Sequence, residues 1–267
     1  MAKSTRKATA IGILGMHRSG TSLLTRIVNL LGAYVGEEEE LMRALPENPE
    51  GYWEHQLIYT VHERLLEALH RTWDTALPLP ADWHSLPVVA PLRDELIELI
   101  QTRFTGQPIW AWKDPRTCIL LPLWKDILAT LNIELRCLLV VRNPLDVARS
   151  LKERDGFSID EGFGLWLNHN LAMLHNSAGL PRAVVSYQRV LADLEGSVAS
   201  WAPRLSLRWS PDDKELRRAI REAVRTDLCH SASTLRDLTR LGCPKPVDVP
   251  RPRFNYATVL QMTRLVK

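Results

Sequence analysis

Gly15-Met16-His17-Arg18-Ser19-Gly20-Thr21-Ser22 is the stretch on which the reading of this chain turns. An apolar run at residues 11–14 precedes it. A helical pattern follows over residues 22–31, with Leu23, Leu24, Ile27, Val28, Leu30 and Leu31 at apolar positions and Gly32 as its expected C-cap. A glycine-rich turn between a strand and a helix is a place where proteins bind anions. Successive backbone N–H groups converge there, and the helix N-terminus adds partial positive charge.

The Gly-x-x-x-x-Gly spacing matches a nucleotide phosphate loop, but Thr21 stands where an ATPase or GTPase carries lysine. The cation has moved inside the loop, to Arg18. One cation plus backbone amides suits a singly charged group, such as an activated sulfonate. A magnesium-bound triphosphate asks for more.

Outward from the loop, apolar strand signals alternate with helical ones up to about residue 190. Strands are expected at residues 109–112, Glu134–Val141 and 183–186. Helices are expected at residues 56–70, 93–104, 121–131, 163–176 and 212–241. Leu57, Val61, Leu65 and Leu69 are read as the stripe of the first of these helices. Asn143 and Pro144 are read as N-cap and first residue of a further helix. Alternation of this kind implies an α/β fold: a phosphate-loop-type parallel sheet flanked by helices on both faces. With no internal repeat and no clean linker, residues 1–267 are expected to form a single domain, its core at about 10–200 and a helical, proline-rich extension at 205–267.

Composition excludes little else. Of 267 residues, 45% are hydrophobic and 24% charged, which rules out a disordered tail protein. A net charge of +3 does not by itself point to nucleic acid. The one basic helix, with Arg217, Arg218, Arg221 and Arg225, also carries Glu215 and Glu222, so no nucleic-acid partner is expected. Lys3, Arg6 and Lys7 precede an apolar stretch at residues 8–16, which reads as a strand and not as a leader, and no later run has the length of a membrane helix. Cys118, Cys137, Cys229 and Cys243 show neither metal-ligand nor disulfide-framework spacing. The expectation is a cytoplasmic protein with no metal.

Two further stretches carry chemistry. Arg142 ends the strand Glu134–Val141, and Asn143-Pro144-Leu145-Asp146-Val147-Ala148-Arg149-Ser150 follows. Arg142 thus emerges at the carboxyl end of a parallel strand, and its planar fork suits bidentate contact with a phosphate. Ser150, about two turns into the helix, can add a hydroxyl, whereas Arg149 projects about 100° away from it. The other stretch is Trp112-Lys113-Asp114-Pro115-Arg116, where Lys113 reaches the same sheet edge. Asp114 also reads as N-cap of the following turn, with Pro115 at N1.

Together these motifs resemble those of sulfotransferases that use 3′-phosphoadenosine 5′-phosphosulfate (PAPS), in particular the soluble bacterial branch. The resemblance covers residues 10 to about 200. It implies that His17, Arg18, Ser19, Gly20, Thr21 and Ser22 hold the 5′-phosphosulfate and that Arg142 and Ser150 hold the 3′-phosphate. It further implies that Lys113 approaches the transferring sulfonate and that a hydroxyl-bearing molecule (carbohydrate, small molecule or peptide) is the acceptor. Tyr187, after the last strand, matches a cofactor-binding tyrosine, although Tyr187-Gln188-Arg189-Val190 departs from the more usual Tyr-Glu-Asp-Leu.

Relatives use Glu or His as general base. Glu54, in Asn48-Pro49-Glu50-Gly51-Tyr52-Trp53-Glu54-His55, is the first candidate, with His55 beside it. Glu37 and Glu38 are rivals by their distance beyond the loop, although such an acidic run is also the ordinary look of a solvated face. A phosphate-loop kinase and a non-catalytic cofactor binder are the alternative functions. Six of nine tryptophans lie between Trp53 and Trp124. Trp110, Trp112 and Trp124 read as core. Trp73 and Trp83, in an irregular proline-rich segment at residues 72–91, read as candidates for the wall of an acceptor pocket.

Overall fold

Six consecutive buried residues, Thr9–Leu14, form β1 in the middle of a four-stranded sheet. In this computed structural model, residues 7–44, 51–75, 78–224 and 233 are described. Strand β1 pairs in parallel with β2 (Ile109–Lys113) on one side and with β3 (Glu134–Val141) on the other. Strand β3 pairs in parallel with β4 (Arg182–Ser186), giving the order β2-β1-β3-β4. The helices are α1 (Thr21–Leu30), α2 (Gln56–Ala68), α3 (Ala90–Leu99), α4 (Thr117–Thr130), α5 (Pro144–Asp155), α6 (Ile159–Asn176), α7 (Tyr187–Ala192), α8 (Leu194–Trp201) and α9 (Lys214–Ala223).

The period-two alternation of the strands divides the interior into two cores. Ile11, Ile13, Leu138, Val140, Ala183 and Val185 face one way, onto Leu24, Ile27 and Val28 of α1 and Trp201 of α8. Ala10, Leu14, Leu139, Val141, Trp110 and Trp112 face the other, onto α2, α4 and α6. The α/β architecture with both faces covered is therefore as expected.

The topology also places a binding crevice. The chain leaves β1 toward β2 on one side, and leaves β3 toward β4 on the other. Adjacent connections diverge between β1 and β3, and in open parallel sheets the ligand crevice opens at the carboxyl ends of such a pair.

Several boundaries differ from expectation, each for a local reason. Helix α3 begins at Ala90, because Pro91 is tolerated in a first turn, and it ends in a wider turn over Ile100–Phe104. Helix α4 begins at Thr117 and runs through Pro122. Proline has no N–H for the carbonyl four residues back, and Asn176 at the end of α6 donates instead to the Cys118 carbonyl at 2.9 Å. Asp114 caps the turn that leads into this helix, its side chain accepting from the Arg116 N–H at 2.9 Å, and Arg116 is the N-cap of the helix itself. Helix α6 starts at Ile159, set by a capping box between Ser158 and Glu161. Leu57 lies outside the α2 stripe at 48% exposure, and Ile58 takes its place in the core. Trp83 is also core, in a short 3-10 turn within the proline-rich segment. Asn143 caps α5 as expected, accepting from the Leu145 N–H. Of the long helix read over residues 212–241, α9 is the described part. Cys229, Cys243 and Arg225 lie outside the described residues.

Candidate active site

The loop after β1 is shaped by two glycines. A Cβ on Gly15 would sit 2.7 Å from the Val140 carbonyl oxygen, so only glycine lets the chain cross the end of β3. Gly20, at φ +86°, is the N-cap of α1, and no side chain caps that helix. A Cβ on Gly20 would lie 2.2 Å from the Tyr187 ring. Gly20→Ala is accordingly expected to destabilise the fold by more than about 1 kcal/mol, through the left-handed backbone and the clash together. Urea unfolding measures this, and Tyr187→Ala in the same chain should relieve the part due to the clash.

Arg18, itself left-handed at φ 65°, points its guanidinium across the β1/β3 crevice. Its Nε donates to Ser150 Oγ at 2.8 Å. Arg142 Nη1 donates back to the Arg18 carbonyl at 2.9 Å, and its guanidinium lies 4.9 Å from the centre of the Tyr187 ring. The loop, the β3–α5 turn and the start of α7 therefore meet at one point. Burial lowers the Arg18 pKa, and the nearby Arg154 and Arg142 guanidiniums lower it further. Three cations in one crevice make a field suited to an anionic ligand. Ser19 adds a buried hydroxyl that has no partner among the described residues, and Thr21 is buried at the helix start. Ser22 Oγ donates to the Tyr52 carbonyl at 3.1 Å, tying α1 to the segment that carries Glu54.

Lys113, the last residue of β2, is buried and donates to Glu54 Oε1 at 2.6 Å. Burial pushes the Glu54 carboxyl above its ordinary range, while the Lys113 ammonium pulls the other way. The residue after Lys113 is fully committed. One Asp114 oxygen accepts from the Arg116 backbone N–H at 2.9 Å and from Arg116 Nη1 at 3.0 Å. Its other oxygen faces His62 Nδ1 at 2.9 Å. The Trp124 indole N–H donates to His62 Nε2 at 2.9 Å, which fixes the Nδ1–H tautomer of His62 and makes it the donor to Asp114. Burial alone would raise the Asp114 carboxyl. The Arg116 guanidinium and the His62 ring outweigh it and hold that carboxyl far below the usual range. Arg116 also pairs with Glu63 and lies 4.6 Å over the Tyr59 ring. Asp114 is thus a structural anion that braces the turn behind Lys113.

The remaining sequence candidates divide. His17 packs against Trp73, ring centres 4.5 Å apart, and faces into the fold. The His55 ring lies 3.4 Å from Glu40 and against Phe104, so its contacts differ from those of its neighbour Glu54. Glu37 accepts from the Tyr34 hydroxyl at 2.9 Å, and Glu38 is exposed at the start of a 3-10 turn. Arg149 is exposed and donates to Ser233 Oγ at 3.0 Å. Trp110, Trp112 and Trp124 form a buried ladder with Phe104, at centre distances of 4.4, 5.5 and 4.2 Å. His62, Glu63 and His169 were missed from sequence. A signal existed for His62: it sits beside Val61 on the apolar face of α2.

No protein-family model matches the chain, and no curated protein matches it. Solved structures do. The sulfotransferase domain of the Synechococcus PCC 7002 olefin synthase aligns over 99% of this chain and 97% of its own, at 16% identity and a TM-score of 0.51. The sulfotransferase domain from the curacin biosynthetic pathway aligns over 98% of both chains, at 14% identity and a TM-score of 0.48. Sulfotransferase STF1 from Mycobacterium tuberculosis H37Rv aligns over 88% and 77%, at 16% identity and a TM-score of 0.44. At these identities the likeness is one of fold. The chain has a sulfotransferase fold, shared with the olefin synthase domain.

Proposed function

We propose that this protein transfers a sulfonate group from PAPS to a hydroxyl acceptor. The observation that carries the reading is the convergence of Arg18, Ser150, Arg142 and Tyr187 at the carboxyl ends of β1 and β3. A site for a nucleoside triphosphate would need a lysine after Gly20, whereas a 3′-phosphorylated nucleotide needs a second anion site, which Arg142 and Ser150 fit.

The residues present suit that co-substrate. The buried, unpartnered Ser19 hydroxyl and the uncapped start of α1 lie in the phosphate loop, beside Arg18. The loop residues Arg18 to Ser22 and His17 would hold the 5′-phosphosulfate. Arg142 and Ser150 would hold the 3′-phosphate, with Tyr187 packed against the loop. The co-substrate supplies an activated sulfonate. Glu54 takes the proton of the acceptor hydroxyl, and Lys113 and Arg18 offset the negative charge that develops at the leaving oxygen. Glu38 and His55, whose contacts lie elsewhere, are placed behind Glu54 as base. Among the described residues no helix is long and apolar enough to cross a membrane, and Cys118 and Cys137 are free thiols. The two free thiols are what supports a cytoplasmic location, where such groups stay reduced.

Discrimination of the 3′-phosphate tests the reading. The wild type is expected to bind adenosine 3′,5′-bisphosphate about 10–100-fold more tightly than adenosine 5′-phosphate, the worth of hydrogen bonds to a charged group. Calorimetry on Arg142→Ala should show that preference collapse. Arg142→Lys should restore part of it, because the charge returns without the planar fork. Equal affinity of the wild type for both nucleotides would count against the assignment.

A further inference from the structure

One buried polar side chain behind the site has no part in the chemistry above. The buried residues of α2 are Ile58, Val61, His62, Leu65 and Leu66, and of these only His62 is polar. Packing alone would be served by leucine there. Both ring nitrogens are engaged: Nδ1–H donates to the second Asp114 oxygen at 2.9 Å, and Nε2 accepts from the Trp124 indole at 2.9 Å. Trp124 stacks on Trp112 with centres 4.2 Å apart, and Trp112 is the residue before Lys113. The ring of contacts thus leaves β2 just before Lys113 and returns just after it. Lys113, Asp114 and Arg116 pair in turn with Glu54, just ahead of α2, and with His62 and Glu63 within it.

We propose that His62 is a positioning residue for sulfonate transfer: by filling the second oxygen of Asp114 it leaves the Lys113 ammonium to Glu54, and it fixes the helix behind Glu54 to the strand that ends in Lys113. This deepens the sulfonate-transfer reading and rests on it. Asp114 is fully buried, and a buried anion with an unfilled oxygen draws the nearest movable cation. Arg116 is already held by the first Asp114 oxygen and by Glu63. Lys113, one residue away on a flexible stem, is the other cation at hand. The neutral His62 ring meets the need of Asp114 without adding a charge that would compete for Glu54. Lys113, Asp114 and Arg116 act on Glu54, Glu63 and Tyr59 contact Arg116, and His62 itself faces Asp114. The sign of a loss at His62 follows. When Lys113 turns from Glu54 to Asp114, Glu54 loses the strongest pull against burial and takes up its proton at a higher pH. Were His62 to matter only for the charge of Asp114, a less ionised Asp114 would repel Glu54 less, and the shift would run downward.

The test uses the full chain with ¹³C in the glutamate side-chain carboxyls and no nucleotide. The Glu54 resonance, identified by its loss in Glu54→Gln, is followed through a pH titration. Two replacements separate the contacts of His62. In His62→Asn the amide nitrogen takes the place of Nδ1, so Asp114 keeps its donor and Trp124 loses its acceptor. In His62→Gln the amide lies where Nε2 was, so Trp124 keeps its acceptor and Asp114 loses its donor. The Glu54 midpoint should rise by about one pH unit in His62→Gln, the order of losing one close opposite charge, and stay near the wild-type value in His62→Asn. With PAPS and 4-nitrophenol as probe substrates, kcat should fall about 10–100-fold in His62→Gln, the order that misplaced reacting groups cost. Affinity for adenosine 3′,5′-bisphosphate should stay within about threefold, since His62 touches none of the nucleotide-binding residues. A lowered Tm with an unmoved Glu54 midpoint in His62→Gln would make His62 merely structural. A downward shift, or equal behaviour of the two variants, would also overturn the proposal. A wild type that binds no adenosine 3′,5′-bisphosphate would strike the sulfonate-transfer reading instead, and the carboxyl titration would still decide whether His62 sets the pair.

Discussion

Glu54→Gln is expected to lower kcat by about 10²–10⁴, the usual worth of a positioned general base. Glutamine keeps the shape of the side chain and an oxygen for Lys113 but cannot take a proton. Nucleotide affinity should change little. The pH profile separates this role from a structural one. A base must be unprotonated to work, and burial raises the Glu54 pKa. The wild-type rate should therefore fall on the acid side at a pH above the ordinary glutamate range. Glu54→Gln should lose that limb, whereas His55→Gln should keep it. A rate limb that persists in Glu54→Gln would move the base elsewhere.

Lys113→Met is expected to cost about 10²–10³ in kcat, the range for removing one preorganised donor from a developing oxyanion. Methionine fills a similar volume in this buried place. The loss has a second component, because Lys113 is the partner of Glu54 at 2.6 Å. Without the ammonium, the strongest pull against burial is gone and the Glu54 pKa rises further, so the acid limb should move to still higher pH in the variant. The double variant with Glu54→Gln should lose less than the product of the single losses, since the two side chains act as one unit. Strictly multiplicative losses would mean that the two side chains act independently and that the pairing is not used in the reaction.

Much of this was legible because the signals were local. The loop from Gly15 to Ser22 lies between a buried strand and an amphipathic helix, and the second half of β3, from Cys137 to Val141, is an unbroken apolar run. The Asn143 cap and the face shared by Trp110 and Trp112 also follow from spacing alone. Helices α7 and α8 are too short to show a period. Helix α4 ran through Pro122 because a side chain 54 positions later stands in for the lost hydrogen bond, and no local rule contains that. The site divides in the same way. Its loops could be read, but its pairings could not. Lys113 meets Glu54 across 59 residues, and His62 bridges Asp114 and Trp124 across 52 and 62. Sequence alone left Glu37, Glu38, His55 and Glu54 as rival bases; of these four the structure sets only Glu54 against Lys113.

The central claim is that the phosphate loop belongs to a 3′-phosphorylated sulfonate donor and not to a nucleoside triphosphate. Thermal unfolding of the full chain, with adenosine 3′,5′-bisphosphate or with ATP and magnesium, tests it most directly. At 100 times its dissociation constant, a ligand stabilises by about 2.7 kcal/mol, which for a chain of this size is roughly 5–10 °C in Tm. The account predicts a rise of that order with the bisphosphate and little change with ATP and magnesium. A rise with ATP and magnesium, and none with the bisphosphate, would contradict it.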